Sequence, residues 1–550
     1  MANKPETIVI TNFSGRLTRI INGDLNSGFA KFKTSYGYDP FSKPLNLTWG
    51  SSPTSIVSGI SDTWLAAKTR FESAATTQYV YAVGSTGKIY KMQPNTLNNP
   101  NLNSVIGIGS VAVGSPSFNY GASIEFFGNP PRVYVGADSQ INSFPVSSIS
   151  AGFAGEAVVG NKATYTVRGR TLKQFQGKLA FGNGPTFGLI DSSNTIVSSV
   201  RGVSIGSENK NTYSEIDPAL GGENYVRDID VTPDYNYLLL TASTTSPEDL
   251  LTIASDRQTA AGGDGNLFQW NGTDGTVTTG TAVPSQTLTA LQTYLQRNIF
   301  FGNDAFGLTV SDGVQKILGL PSNKSPLPYA TGVNGNFTHW ASIETDIDNN
   351  KMYGSLYYFG QLDQENPHGL YRLLRFETTL TNGYVYQVPV NILVNNNYDT
   401  INNAITAVQS LGYGKHLISA IELTGGSGTL NHRLYNFVVS PDDGLTPQLG
   451  VYETQTQLFS KRIDVKQIRV YTEPVASGNG FKLEMIGSGG AVLTNGTYTY
   501  THGDPVDANE RINFNPNATT GYALGIRITN TGTTNMVIKK VEVDFDYSGK

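Results

Sequence analysis

The chain has 550 residues, too many for one ordinary domain unless a large β-architecture absorbs them. Only 15% of residues are charged and 38% are hydrophobic, with 60 Gly, 25 Pro, 29 Tyr and 25 Phe; this favours short strands and tight turns and excludes coiled coils, helical bundles and long disordered chains. A net charge of -5 argues against a protein that coats nucleic acid, and the absence of Cys excludes disulfides, a thiolate metal site and a cysteine nucleophile.

At the N-terminus, Met1–Ile10 carries an apolar run of only about four residues, short of the roughly 7–15 of a signal-peptide core. No stretch approaches the roughly 18 apolar residues of a membrane helix, so a soluble chain without an export signal or a membrane span is expected. Residues 1–60 are expected to form an extended arm. Phe13-Ser-Gly-Arg-Leu17 and Tyr36-Gly-Tyr-Asp-Pro40 are turn-broken, and Phe13, Leu17, Ile20, Ile21, Phe29 and Phe32 are scattered anchors that cannot build a core of their own. Such an arm either packs on a neighbour during assembly or supplies a strand that closes a ring.

Residues 61–455 repeat themselves. An apolar-aromatic strand ending in Gly appears as Tyr79-Val-Tyr-Ala-Val-Gly84, Arg132-Val-Tyr-Val-Gly136, Lys178-Leu-Ala-Phe-Gly182, Asn298-Ile-Phe-Phe-Gly302 and Leu356-Tyr-Tyr-Phe-Gly360. A second strand follows a polar turn, as in Lys88-Ile-Tyr-Lys-Met92, Gln140-Ile-Asn-Ser-Phe144, Asn266-Leu-Phe-Gln-Trp270, Gly369-Leu-Tyr-Arg-Leu373 and Arg433-Leu-Tyr-Asn-Phe437. Tyr237-Leu-Leu-Leu-Thr241 and His416-Leu-Ile-Ser-Ala420 are weaker copies without the glycine. Equivalent positions recur every roughly 46–62 residues, giving about seven units with room for four short strands each. Small and apolar residues alternate ahead of several copies, at Leu288–Tyr294, His339–Thr345 and Ala404–Ser410, as suits an innermost strand; residues 399–410 are read as strand in preference to a short helix. Radial repetition protects strand edges, so a β-propeller of about seven blades is expected, although the glycine, Trp-Asp and Asp-box signatures of well-known blade families are missing.

Residues 456–550 change pattern. Lys461–Tyr471, Phe481–Ile486, Tyr522–Ile528 and Met536–Phe545 alternate and are separated by Gly487-Ser-Gly-Gly490, Asn495-Gly496 and Asn530-Thr-Gly532. A separable, jelly-roll-like β-sandwich is expected there.

No residue pattern selects a reactive site. The histidines His339, His368, His416, His432 and His502 lie at no metal spacing. Gly84-Ser-Thr-Gly-Lys-Ile89 lacks the first glycine and the Ser/Thr of a phosphate loop, and reads as a hairpin turn. Asp346-Ile-Asp-Asn-Asn350 begins like a calcium loop, but Lys351 and Tyr357 stand where Gly and Glu are required. Asp228, Asp230 and Asp234 form a similar cluster, in which Pro233-Asp234 is an ordinary turn opener, and Ser440–Gly444 is the same kind of loop. Asn46, Asn271 and Asn336 stand in sequons that read as turn chemistry without an export signal. No pair among the 43 acidic residues is singled out for glycoside hydrolysis. Catalytic, cofactor-binding and metal residues are therefore expected to be none, and no cofactor is expected.

Three stretches carry a resemblance. Ile10-Thr-Asn-Phe-Ser-Gly15 with its extended continuation resembles the N-terminal arm of many phage tail proteins. Asn266-Leu-Phe-Gln-Trp-Asn-Gly272, read as a blade hairpin, is similar to the propeller proteins of the tail nozzle of short-tailed phages. Val541-Glu-Val-Asp-Phe-Asp-Tyr547 closes a domain that resembles an appended tail or adhesion sandwich. The resemblance, to virion structural proteins of tailed bacteriophages, implies a non-enzymatic component made in the host cytoplasm and resident in the virion. Its implied partners are portal, adaptor or tail proteins, with copies in a ring around the DNA exit path and no specific binding of the passing DNA. The alternative is a carbohydrate-binding or glycan-cleaving propeller that recognises the host surface.

Overall fold

The computed structural model describes residues 5–13, 32–37, much of 43–148, the strands and tight turns scattered between 161 and 438, and most of 449–548. Among the described residues the chain is all-β, and its helical pieces are single 3-10 turns at Val146–Ser148 and Ser488–Gly490. No described helix is long and apolar enough to cross a membrane.

Between 64 and 438 the described strands form seven small antiparallel sheets in chain order, plus a two-stranded ribbon at Ser199–Val200 and Val203–Ser204. The first sheet runs Trp64–Glu72, Thr77–Gly84, Lys88–Thr96, Asn99–Ser110. The second runs Ala122–Phe127, Arg132–Ala137, Gln140–Pro145, Asn161–Thr164. The third has three strands, Leu172–Phe175, Lys178–Asn183 and Thr186–Ile190. The fourth holds Tyr225–Val231, Leu238–Ser243, Gly265–Trp270 and Thr281–Ala282, and the fifth Thr287–Tyr294, Arg297–Asp304, Gly307–Ser311 and Lys316–Gly319. The sixth holds Ile343–Asp346, Ser355–Gly360, Gly369–Arg375 and Gly383–Val388. The seventh holds Asn403–Gly412, Lys415–Thr424, Thr429–Val438 and, from far upstream, Thr54–Ser55.

The first strand of each sheet lies against the first strand of the next, and that of the seventh lies against that of the first. The sheets therefore follow one another around a propeller-like ring with their first strands innermost. The core sits between neighbouring sheets: Tyr81, Val83 and Ile89 of the first meet Ile124, Phe126 and Val133 of the second, and Trp64, Val80 and Met92 meet Leu411, Leu417 and Leu434 of the seventh. A strand covered on both faces has no solvent side, so its apolar residues run without alternation. Val80, Tyr81, Ala82 and Val83 are all fully buried, and Ala122–Phe127 is buried throughout. The glycine-ended repeats of the sequence fall on second strands, the apolar-aromatic pairs that follow them fall on third strands, and both weak copies fall on the second strands of the fourth and seventh sheets. Residues 403–412 form a strand.

The chain's two ends meet. Glu6–Ile10 pairs antiparallel with Ile538–Tyr547, Phe32–Tyr36 pairs with Val451–Thr454, and Leu47 exchanges backbone hydrogen bonds with Ile538 at 2.9 and 3.0 Å. Together with Gln457–Thr472, Gly480–Ile486, Val492–Thr501, Arg511–Phe514 and Thr520–Asn530 they make a nine-stranded sheet. One core joins them: Ile8, Ile10, Phe13, Leu47 and Trp49 pack with Tyr452, Val465, Phe481, Leu483, Ile528, Val541 and Phe545. A boundary at 455/456 runs between strands of a single sheet, because Val451–Thr454 and two N-terminal strands belong with 456–550. The described parts of the arm are built into this sheet and, through Thr54–Ser55, into the seventh. The reason is physical: Ile8, Ile10 and Phe13 find, on their own chain, apolar partners that local sequence cannot reveal.

Candidate functional site at the hub of the ring

The first strands carry the polar residues that link one sheet to the next. Lys68 of the first sheet pairs with Glu125 of the second. The Gln174 amide of the third donates to the Phe126 carbonyl of the second at 2.5 Å. Lys173 of the third pairs with Asp230 of the fourth at 2.5 Å, and the Leu291 backbone amide of the fifth donates to Asp228 at 2.9 Å. Among the described residues, each step from the first sheet to the fifth thus carries a polar bond between inner strands. Asp230 is almost fully buried. Burial works against the Lys173 charge, but Asp230, helped by Glu125 and Asp228, outweighs it and raises the Lys173 pKa above its ordinary value. Glu125 and Asp230 also accept from the backbone amides of Phe126 and Val231 at 2.9 and 2.8 Å. These carboxylates are engaged by fixed donors, so the hub can hold neighbouring sheets at a set angle and balance charge within the ring.

The seam between the first and seventh sheets is polar as well. Thr63 hydrogen-bonds His432, and the Trp64 amide donates to Ser419 Oγ at 3.1 Å. Beside them, buried Asp62 accepts from Ser85 Oγ at 2.9 Å, the Thr86 amide at 3.2 Å and Tyr90 Oη at 3.1 Å. Burial, then the Asp62 charge, raises the Tyr90 phenol well above its ordinary value. Burial lowers His432, and Asp62 opposes that.

The Gly84–Ile89 stretch is the turn between Thr77–Gly84 and Lys88–Thr96, with Gly87 at φ 79° and its amide on the Gly84 carbonyl at 3.0 Å. Gly84 is needed because a Cβ there would overlap the Asp62 carboxylate. Of the three clustered aspartates, Asp234 sits in the turn expected of Pro233-Asp234, accepting from Asn236; Asp228 and Asp230 lie on Tyr225–Val231 and belong to the hub. His416 is buried and stacks on Phe437 at 6.4 Å. Asn271 accepts from the Thr273 amide at 3.0 Å, with Gly272 at φ 86°, as turn chemistry requires. Asp346 ends a strand. His339, His368, His502, Asn336, residues 347–351 and residues 440–444 lie outside the described residues. Among the described residues no three His, Asp or Glu groups gather as metal ligands. The hub pairs Lys68–Glu125 and Lys173–Asp230 went unread in the sequence because each partner lies about one repeat away; the available signal was the presence of charged residues on every one of the first four inner strands.

No protein-family model matches the chain, and no curated protein does. Solved structures similar to it include the Dos1 propeller, at 10% identity and TM-score 0.36 over 78% of this chain and 95% of that one. The N-terminal domain of Nup159 is similar at 10% identity and TM-score 0.38, over 77% and 100% of the two chains. The computationally designed Ika8 protein is similar at 12% identity and TM-score 0.33, over 74% and 97%.

Proposed function

We propose that the chain is a seven-bladed β-propeller, closed by Thr54–Ser55, that carries a C-terminal β-sandwich completed by N-terminal strands, and that it serves as a non-enzymatic structural component of a tailed-phage virion. In this reading it is a tail or nozzle-like protein. Copies assemble in a ring around the DNA exit path against portal, adaptor or tail proteins, and the DNA passes without specific binding. The observation that carries the reading is the stitching of residues 6–55 through both parts of the molecule. Ties at both ends of one chain suppress motion between propeller and sandwich, which suits a particle component that must transmit load. The hub supports it, since Lys68–Glu125 and Lys173–Asp230 pair between neighbouring sheets within the ring.

A second reading, glycan binding at the host surface, draws on Tyr235 and Tyr237, which are 70% and 40% exposed. Their turn is fixed by the Tyr235 amide on the Thr232 carbonyl at 2.8 Å and the Tyr237 amide on Thr232 Oγ1 at 3.0 Å. One experiment separates the readings. Particles from cells expressing the chain with its neighbouring genes are purified on a density gradient, and the isolated chain is titrated with host polysaccharide. Several copies per particle and no saccharide binding are expected. A chain that stays with the soluble fraction and binds or cleaves the polysaccharide overturns the virion role in favour of the second reading.

A further inference from the structure

We propose that residues 5–13 are an exchangeable strand: in an assembled form they occupy the edge of the C-terminal sheet of a second copy, in the register they hold on their own chain. The seat is well defined. Glu6–Ile10 runs along Ile538–Tyr547 from Glu6↔Phe545 to Ile10↔Val541. Ile8, Ile10 and Phe13 are 6%, 2% and 0% exposed in that core. Thr7 Oγ1 donates to Asp544 at 2.7 Å, and the Phe13 amide donates to the Leu45 carbonyl at 3.1 Å. These partners all lie beyond position 44, so a second copy offers the same atoms in the same geometry.

The connection decides whether exchange is open to the chain. The next strand, Phe32–Tyr36, borders the opposite end of the same path of strands, five neighbours away from Glu6–Ile10. At ~4.8 Å per strand that path measures about 24 Å laid flat. The 18 residues from 14 to 31 reach up to about 60 Å when extended. The connection therefore has more than twice the length its own seat requires. An edge strand joined to the next through 18 residues is the kind of element that domain swapping exchanges, because the contacts are identical in the closed and exchanged forms and protein concentration selects between them. The exchange rests on the assembly reading for its setting, but it is tested on the purified full chain, so the two fail separately.

Val9 and Glu542 are register partners, and Val9 is 44% exposed. The chain has no Cys of its own. Full-length Val9→Cys and Glu542→Cys chains are co-expressed, concentrated and oxidised with glutathione disulfide. A disulfide mapped to positions 9 and 542 of different chains forms only across an exchanged strand. It is expected several-fold above the cross-linking of a control mixture, Val9→Cys with Tyr522→Cys, where Tyr522 is exposed and lies on Thr520–Asn530, not on the strand that Glu6–Ile10 pairs with. Cross-linking at the control level, while the Val9→Cys/Glu542→Cys double variant closes its disulfide within one chain, overturns the proposal. A double variant that closes in neither way overturns the strand pairing on which it stands.

Discussion

Phe13→Ala perturbs the pairing between the two ends of the chain. Phe13 is fully buried and packs edge-on against Tyr452 with ring centroids 5.5 Å apart. Truncating a buried Phe to Ala costs about 3–5 kcal/mol, of which the aromatic pair accounts for about 0.5–1.5 kcal/mol. At about 1.4 kcal/mol per factor of ten, opening of the Glu6–Ile10 edge becomes roughly 100- to 4000-fold more frequent. The readout is amide hydrogen exchange by mass spectrometry on the peptide that spans Ile538–Tyr547. The Thr77–Gly84 strand of the first sheet serves as an internal reference. Phe71→Ala, at a residue 49% exposed, is the control and should change exchange by no more than about twofold. Exchange at Ile538–Tyr547 that stays within the control's range would refute the seating of residues 5–13 in the C-terminal core.

Lys173→Met should destabilise the ring by about 3–5 kcal/mol by taking the ammonium away from the buried Asp230 carboxylate, and Lys173→Met/Asp230→Leu should recover most of the loss; denaturant melts of the three chains check this. Gly84→Ala should cost about 1–3 kcal/mol by forcing Asp62 from its hydrogen bonds, seen as a lowered unfolding midpoint. His432 has a folded pKa held below its ordinary 6.5 by burial, so its contribution is complete above about pH 6.5 and falls away as pH drops through the folded value; thermal melts between pH 8 and 5 should show this slope, and His432→Gln should flatten it. Residues 456–550 expressed alone should lack cooperative unfolding, because Glu6–Ile10, Phe32–Tyr36 and Val451–Thr454 are missing; a sharp transition by near-UV circular dichroism would show those strands to be dispensable.

The repeat was legible in the sequence because second and third strands are consecutive hairpin partners. Their pairing is local, and burial on both faces writes an uninterrupted apolar run such as Tyr79–Gly84 into the chain. The all-β class followed from the same residues. The first strands were harder to read, since Lys68, Glu125, Lys173 and Asp230 answer to partners on the neighbouring sheet, and no local period marks a pair 57 residues apart. Asp228 and Asp230 went unread for that reason: one accepts from the Leu291 amide of the fifth sheet and the other from the Lys173 ammonium of the third, and nothing local in the sequence marks either partner. The fate of the N-terminal residues was decided by tertiary structure alone. Ile8 and Ile10 sit in a short apolar run whose partners nothing nearby reveals, and only the fold brings them to Val543 and Val541, more than 500 residues away, because a sheet edge accepts any strand of matching alternation regardless of separation along the chain.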